Sequence, residues 1–127
     1  MPEKAKNHRR ITYTAGKRAE WVAFVYLLLK GYRLIARRYK CPAGEIDLIV
    51  ARRNLVAFVE VKYRADRDTA AFSITARQQS RILRAAQYWA LKNQQKYPQT
   101  MRFDVILLAP WRWPRHIENA FVDNLEV

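Results

Sequence analysis

A single cysteine, Cys41, stands in a chain of 127 residues, so no internal disulfide can form, and the lone thiol fits a reducing, cytoplasmic setting. Two histidines, His8 and His116, are too few beside it to support a structural zinc site. Apolar runs are short: "WVAFVYLLL" at residues 21–29 has nine residues, against the ~20 that a membrane span requires. It follows the basic stretch "KNHRR", yet Glu20 abuts it and "KGYRLIARR" behind it offers no small-residue cleavage site. It therefore reads as a core helix, not as a signal peptide. Linkers rich in Gly, Pro or Ser, internal repeats and low-complexity segments are lacking too. One domain over residues 16–127 follows, behind a polar, basic segment 1–15 expected to be mobile.

Acids are also scarce. Asp and Glu number 11 against 24 Lys and Arg, which gives a net charge of +13. Such an excess predicts association with polyanions, nucleic acid first and an anionic membrane surface second. The membrane reading is the weaker, because no long basic amphipathic helix presents an exposed apolar face.

The residues that are present divide into clear elements. Helix formers run from about Gly16 to Lys30, and Gly31 follows as a stop signal. "YRLIARRYK" (32–40) alternates as a strand does, and "CPAG" is a turn. Residues 44–51 and 55–63 are short, rich in Val, Ile, Leu and Phe, and separated by "RRN", so they read as two strands of a hairpin. "ADRDTA" is a loop, Ser73 an N-cap, and a long helix reaches to about Gln95. "MRFDVILLA" (101–109) is a buried strand, "PWRWP" a turn, and "HIENAFV" a last short strand or edge segment. Helix, three strands, helix, strand is the order of an α/β domain with a mixed sheet between helices.

The few acids fall where core is expected. Within "GEIDLIVARRNLVAFVEVKYR", Glu45 and Asp47 share one face of their strand, and Glu60 and Lys62 share one face of the next. A hairpin turning at Arg53 and Asn54 sets Asp47 opposite Glu60, and Glu45 opposite Lys62. Directly opposed carboxylates repel at a separation of ~4.5–5.5 Å between Cβ atoms. A divalent cation would convert that repulsion into coordination, since Mg²⁺ is usually held by one or two carboxylates with water and phosphate oxygens. The competing reading is a cross-strand ion cluster that only fixes register.

An acid on one strand followed by Glu-x-Lys on the next, here Asp47 and Glu60-Val61-Lys62, resembles the PD-(D/E)xK nuclease superfamily. Over most of residues 16–121, "GKRAEWVAFVYLLLKGYRLIARRYKCPAGEIDLIV", "VAFVEVKYR" and "RFDVILLA" resemble the YraN family of small bacterial proteins. Archaeal Holliday-junction resolvases have a similar layout, with a glutamate on the first helix where Glu20 stands here. The resemblance implies a restriction-endonuclease-like three-layer α/β/α domain with a mixed central sheet. It implies a metal-dependent DNA endonuclease acting on branched DNA, with Asp47, Glu60 and Glu20 toward Mg²⁺ or Mn²⁺ and Lys62 toward the attacking water. Glu45 and Gln79 are supporting candidates, Glu45 by pairing with Lys62. YraN-like sequences often carry a lysine where this one has Gln78. The same resemblance permits a two-fold homodimer.

Glu20 could instead be an ordinary first-turn helix acid, and Arg102 with Asp104 reads as a structural pair. Arg77, Arg81, Arg84 and Tyr88 fall at helical spacing on one face, and "ARRYK" adds Arg37, Arg38 and Lys40. These are the candidate phosphate contacts. Trp111 and Trp113, beside Arg112 and Arg115, suit stacking on bases or on a partner chain equally. The alternative function is a nucleic-acid-binding module on the same fold without cleavage activity.

Overall fold

The computed structural model describes residues 17–64, 74–93, 96 and 100–121. The basic N-terminal segment, the "ADRDTA" loop and Ser73 lie outside these.

Helix α1 is described over residues 17–29. Gly31 ends it, with φ at 93°, in the left-handed region where a side chain would be strained. Its N–H donates to the Leu28 carbonyl and that of Tyr32 to the Leu27 carbonyl, each at 3.0 Å. That pair of bonds is the Schellman ending that a terminal Lys-Gly signals. Strands β1 (Arg33–Cys41), β2 (Gly44–Arg52) and β3 (Leu55–Tyr63) then form an antiparallel meander. Helix α2 (Ala76–Asn93) carries the chain over the sheet to β4 (Thr100–Leu108), which lies parallel to β3, as a crossover connection allows and a tight turn does not. Strand β5 (Arg115–Ile117) pairs antiparallel with β4. The sheet order is β1-β2-β3-β4-β5, so the expected terminal segment is an edge strand.

The cap of α2 differs from expectation. Thr75, not Ser73, closes it: Gln78 N donates to Thr75 Oγ1 and Thr75 N to Gln78 Oε1, each at 3.1 Å. This is a capping box, which Thr-x-x-Gln at 75–78 encodes.

Alternation along the strands builds two cores. Ala57 and Val59 of β3 join Ala19, Ala23 and Leu27 of α1 on one face. Val56 and Phe58 join Leu83, Ala86 and Trp89 of α2 on the other. The sheet is thus covered on both sides, the three-layer α/β/α arrangement that the pattern implied. No helix among the described residues is long and apolar enough to cross a membrane.

One polar group is sealed in this core. Asp104 is fully buried and accepts from Arg102 Nε and Nη2 at 2.7 Å each, from Asn119 N at 3.0 Å and from His116 Nε2 at 2.8 Å. Lys30 Nζ lies 2.6 Å from His116 Nδ1. A lysine ammonium only donates, so Nδ1 accepts, which leaves the ring proton on Nε2 facing Asp104. Burial alone would raise the Asp104 carboxyl, but the bonds from His116, Arg102 and Asn119 overcome it and hold the group below its ordinary value. Arg102 and Asp104 are the structural pair expected, enlarged by His116, Tyr32 and Lys30.

Candidate active site

The hairpin register is the one the turn at Arg53 and Asn54 dictates: Leu48 faces Val59, and the pairs run back to Arg52 with Leu55. Continued outward, it sets Asp47 against Glu60. The ladder, however, stops at Leu48 and Val59 although both strands run on. Beyond that point an Asp47 carboxylate oxygen accepts the Val61 N–H at 2.8 Å, where a strand carbonyl would ordinarily sit. The distortion extends to β1, where Arg38, across from Asp47, has φ at 52°. Three adjacent strands depart from regular geometry at one level. Backbone departures of this kind cluster at functional sites.

Asp47 is the most perturbed acid here. Desolvation first, then the Glu60 charge, then the Glu20 charge push its carboxyl up to about 7, against the downward pull of the Val61 N–H. Side-chain contact with Glu60 adds to the rise, because a second carboxylate beside Asp47 disfavours its charged form. Lys62 Nζ lies 3.3 Å from Glu60 Oε1, with both side chains largely buried. The expected Glu45–Lys62 pair is therefore replaced: once the strands splay past Leu48, Lys62 turns to the neighbour two residues back on its own strand. Glu45 stays exposed at the mouth of the cleft.

Glu20 reaches this site from α1, close enough to be felt by Asp47. Its Oε2 accepts from Arg38 Nε at 2.7 Å. Arg38 thus holds the Glu20 carboxylate beside the site. No group of three or more His, Cys, Asp or Glu among the described residues is arranged to hold a metal ion. The pair Asp47 and Glu60 remains, and two hard carboxylates with open space for water suit Mg²⁺ or Mn²⁺, which usually retain several water and phosphate oxygens.

The open space is a cleft of ≈ 100 Å³ lined by Glu45, Asp47, Glu60, Gln78, Arg81 and Ile82. The glutamine at this cleft is not the one expected. Gln79 donates its amide to the Ile74 carbonyl at 3.1 Å, whereas Gln78, notable in the sequence only as a departure from the family, lines the cleft. The signal for it is the capping box, which fixes the first turn of α2 and so decides which side chain faces the carboxylates. Gly44 makes this approach possible: a Cβ there would lie 2.7 Å from the Arg81 carbonyl oxygen.

Of the remaining basic candidates, Arg77, Arg81 and Arg84 are exposed on α2 and Lys40 on β1, while Arg37 lies 4.6 Å over the Trp21 ring. Trp113 lies away from the carboxylates, beside Trp21, Val22, Val25 and Leu29 on the outer face of α1. Trp111 is fully exposed.

Residues 19–108 match the family described as "Uncharacterised protein family UPF0102", the YraN-like family. A UPF0102 protein of Rhodopseudomonas palustris (strain BisB18) is 48% identical over 120 residues, covering 94% of this chain and 89% of the relative. Another from Methylorubrum extorquens (strain PA1) is 50% identical over 113 residues, covering 89% and 88%. Among solved structures, the Archaeoglobus fulgidus Holliday junction resolvase Hjc matches with a TM-score of 0.56 at 18% identity, over 80% of this chain and 73% of the other. That likeness establishes a restriction-endonuclease-like fold.

Proposed function

We propose a nuclease function for this chain, which belongs to the UPF0102 family: metal-dependent hydrolysis of phosphodiester bonds in DNA, with branched DNA the favoured substrate. The observation that supports it is the Asp47–Glu60 pair, two neighbouring carboxylates lining an open cleft, with the Asp47 carboxyl pushed up to about 7 and Lys62 Nζ 3.3 Å from Glu60. A structural ion cluster gains nothing from such repulsion, but a cation site does. Asp47 and Glu60 would hold Mg²⁺ or Mn²⁺, which when bound supplies Lewis-acid polarisation of a phosphate oxygen. Lys62, held by Glu60, orients a water and stabilises negative charge growing on the phosphate. Gln78 and Arg81 grip the phosphate from the first turns of α2. Arg38 holds Glu20 at the edge of the site, where its carboxylate can accept a hydrogen bond from the attacking water. We place the protein in the cytoplasm, where Cys41 stays reduced.

Linear, flapped and four-way DNA incubated with Mg²⁺ or Mn²⁺ test this. Wild type should cleave at least one, and Lys62→Ala should slow cleavage about a hundredfold or more, the usual cost of removing one group that stabilises a transition-state charge. No cleavage of any substrate by wild type would leave the binding-module reading in its place.

Binding has its own measurement. If about six phosphates are neutralised, log affinity should fall with log salt at a slope near −5. Reversing Arg77, Arg81 and Arg84 to glutamate should bring the slope toward about −2, at ~0.9 per phosphate contact. An unchanged slope would make this helix face merely solvated.

A symmetric branched substrate suits two sites, and the proposal includes a homodimer. The apolar outer face of α1, with Trp21, Val22, Val25 and Leu29 exposed beside Trp113, is the surface a second copy would cover. Sedimentation equilibrium should find a dimer for wild type and a monomer for Val25→Glu with Leu29→Glu. A monomeric wild type would remove this part of the proposal.

A further inference from the structure

The carboxylate cleft is not closed at its β1 side. Its walls Glu45 and Arg81 also line a second hollow, formed with Lys40, Cys41 and Pro42 at the β1–β2 turn. Lys40, Cys41 and Pro42 in turn line a third, larger hollow of ≈ 440 Å³ between β1 and the C-terminal half of α2, with Tyr39, Tyr88 and Lys92 on its walls. Through these shared walls the three hollows follow one another as a groove, from the carboxylates Asp47 and Glu60, past Gly44 and Arg81, to the rings of Tyr39 and Tyr88.

The chemistry of its lining changes along its length. Near the acids it is charged and polar, with Arg81 and Gln78. Farther on it combines cations, Lys40 and Lys92, with the half-buried rings of Tyr39 and Tyr88. From Arg81 to Lys92 the helix rises about 16 Å at ~1.5 Å per residue. That length matches about five nucleotides stacked at ~3.4 Å per step, fewer if extended. A duplex bears phosphates outside and no free base faces, so its bases cannot reach a ring inside a groove. An unpaired strand can reach it. Aromatic side chains alternating with cations along a backbone-tracking groove are the usual means of holding one. The ammonium of Lys92 lies 4.5 Å over the Tyr88 ring, and since Lys92 is exposed, it can exchange that contact for a phosphate and release the ring face to a base.

We infer that this groove binds a single-stranded DNA segment next to the scissile phosphate, with a base stacked on Tyr88 and phosphates on Lys40, Lys92 and Arg81. The inference rests on the nuclease reading and narrows its substrate to DNA with an unpaired arm at the cut, such as a flap or an opened branch point. It predicts that junctions lacking any unpaired bases are the poorer substrates.

Binding measured in EDTA, where no metal-dependent cleavage occurs, tests it on the intact chain with a fluorescein-labelled single strand and a blunt duplex of the same sequence. Tyr88→Ala should weaken the single strand by roughly fivefold to 150-fold, the equivalent of ~1–3 kcal/mol per stacked base, and the duplex by less than about twofold. Tyr88→Phe should bind as wild type, because the ring is kept. Lys92→Glu, at an exposed position in the last turn of α2, should weaken the single strand as well. Cys41, the sole cysteine, lies in the groove wall, so single strand should slow its alkylation several-fold while duplex should not. Equal losses on both DNAs, a Tyr88→Ala protein that holds single strand as wild type does, or an alkylation rate indifferent to single strand would each overturn the groove. Because these measurements need no turnover, a wild type that fails to cleave would overturn the nuclease reading alone.

Discussion

Replacing Asp47 by asparagine should abolish metal-dependent cleavage and yet make the metal-free protein more stable. The two effects have one origin. In the fold the Asp47 carboxyl is raised from 3.8 to about 7, so between those values the native state keeps a proton that the unfolded chain has released. The cost of ionising it is absent in acid, grows as pH rises through that window and is complete above about pH 7. An amide mimics the protonated acid: its oxygen still accepts the Val61 N–H, and its NH₂ can donate toward Glu60. At about pH 8 the variant should therefore gain of the order of 2–4 kcal/mol, a rise in melting temperature of roughly 10 °C. Near pH 4 the difference should vanish. Thermal melts of both proteins in EDTA across that range decide the matter, and a variant less stable than wild type at pH 8 would mean the acids serve as partners for Lys62 and its neighbours.

Metal acts on the wild type alone. A cation that binds only the folded state stabilises it by ~2.7 kcal/mol at a hundred times its dissociation constant, so Mn²⁺ should raise the wild-type melting temperature and leave Asp47→Asn where it was. Since the ion must displace the proton that Asp47 holds below about pH 7, its affinity and the cleavage rate should both climb with pH toward and through 7.

Much of this site is legible in the amino-acid sequence, because a hairpin's register follows from its turn. Arg53 and Asn54 fix the pairing, and period-two alternation then places Asp47, Glu60 and Lys62 on one face. What the sequence does not reveal is what lies across the chain. Nothing in residues 33–40 announces that Arg38 adopts a left-handed backbone and turns to Glu20, 18 residues earlier. Glu45 fails as the partner of Lys62 because the ladder breaks at Leu48, and a break in hydrogen bonding carries no compositional mark when both strands remain apolar. Gln78 is recoverable: Thr75-x-x-Gln78 is a capping box in plain sight, but Ser73 is an equally good cap residue, and a shift of two positions rotates a helix by more than half a turn. Arg81, Tyr88 and Lys40 stand out in the sequence, but that they meet along one groove does not, since this depends on Gly44 seating the β1–β2 turn against Arg81.

Asp104 should behave in the opposite way to Asp47, although burial raises the carboxyl of both. Its carboxylate is ringed by donors: the Arg102 guanidinium at 2.7 Å through two nitrogens, His116 at 2.8 Å and the Asn119 N–H at 3.0 Å. Its folded value is depressed, so the stability it contributes is fully present above the ordinary carboxylate range. That contribution is lost only as pH falls through the lowered value. Asp104→Ala removes the sole acceptor those donors share. Arg102 keeps Tyr32 Oη at 2.6 Å and Glu118 at 3.8 Å, but Glu118 is half exposed and the buried side of the guanidinium is left without a counter-charge. Breaking one partner of a buried pair costs ~3–5 kcal/mol, here a fall of roughly 10–20 °C in melting temperature for a domain of this size. Asp104→Asn should lose nearly as much, because its NH₂ would face the donors of Arg102 and His116 instead of accepting from them. Set beside Asp47→Asn, the same chemical change then carries opposite signs at about pH 8: a gain where the protein places a carboxylate against another carboxylate, and a loss where it surrounds one with donors. If both variants were destabilised alike, Asp47 would be a satisfied core acid like Asp104, and the case for a cation between Asp47 and Glu60 would fall with it.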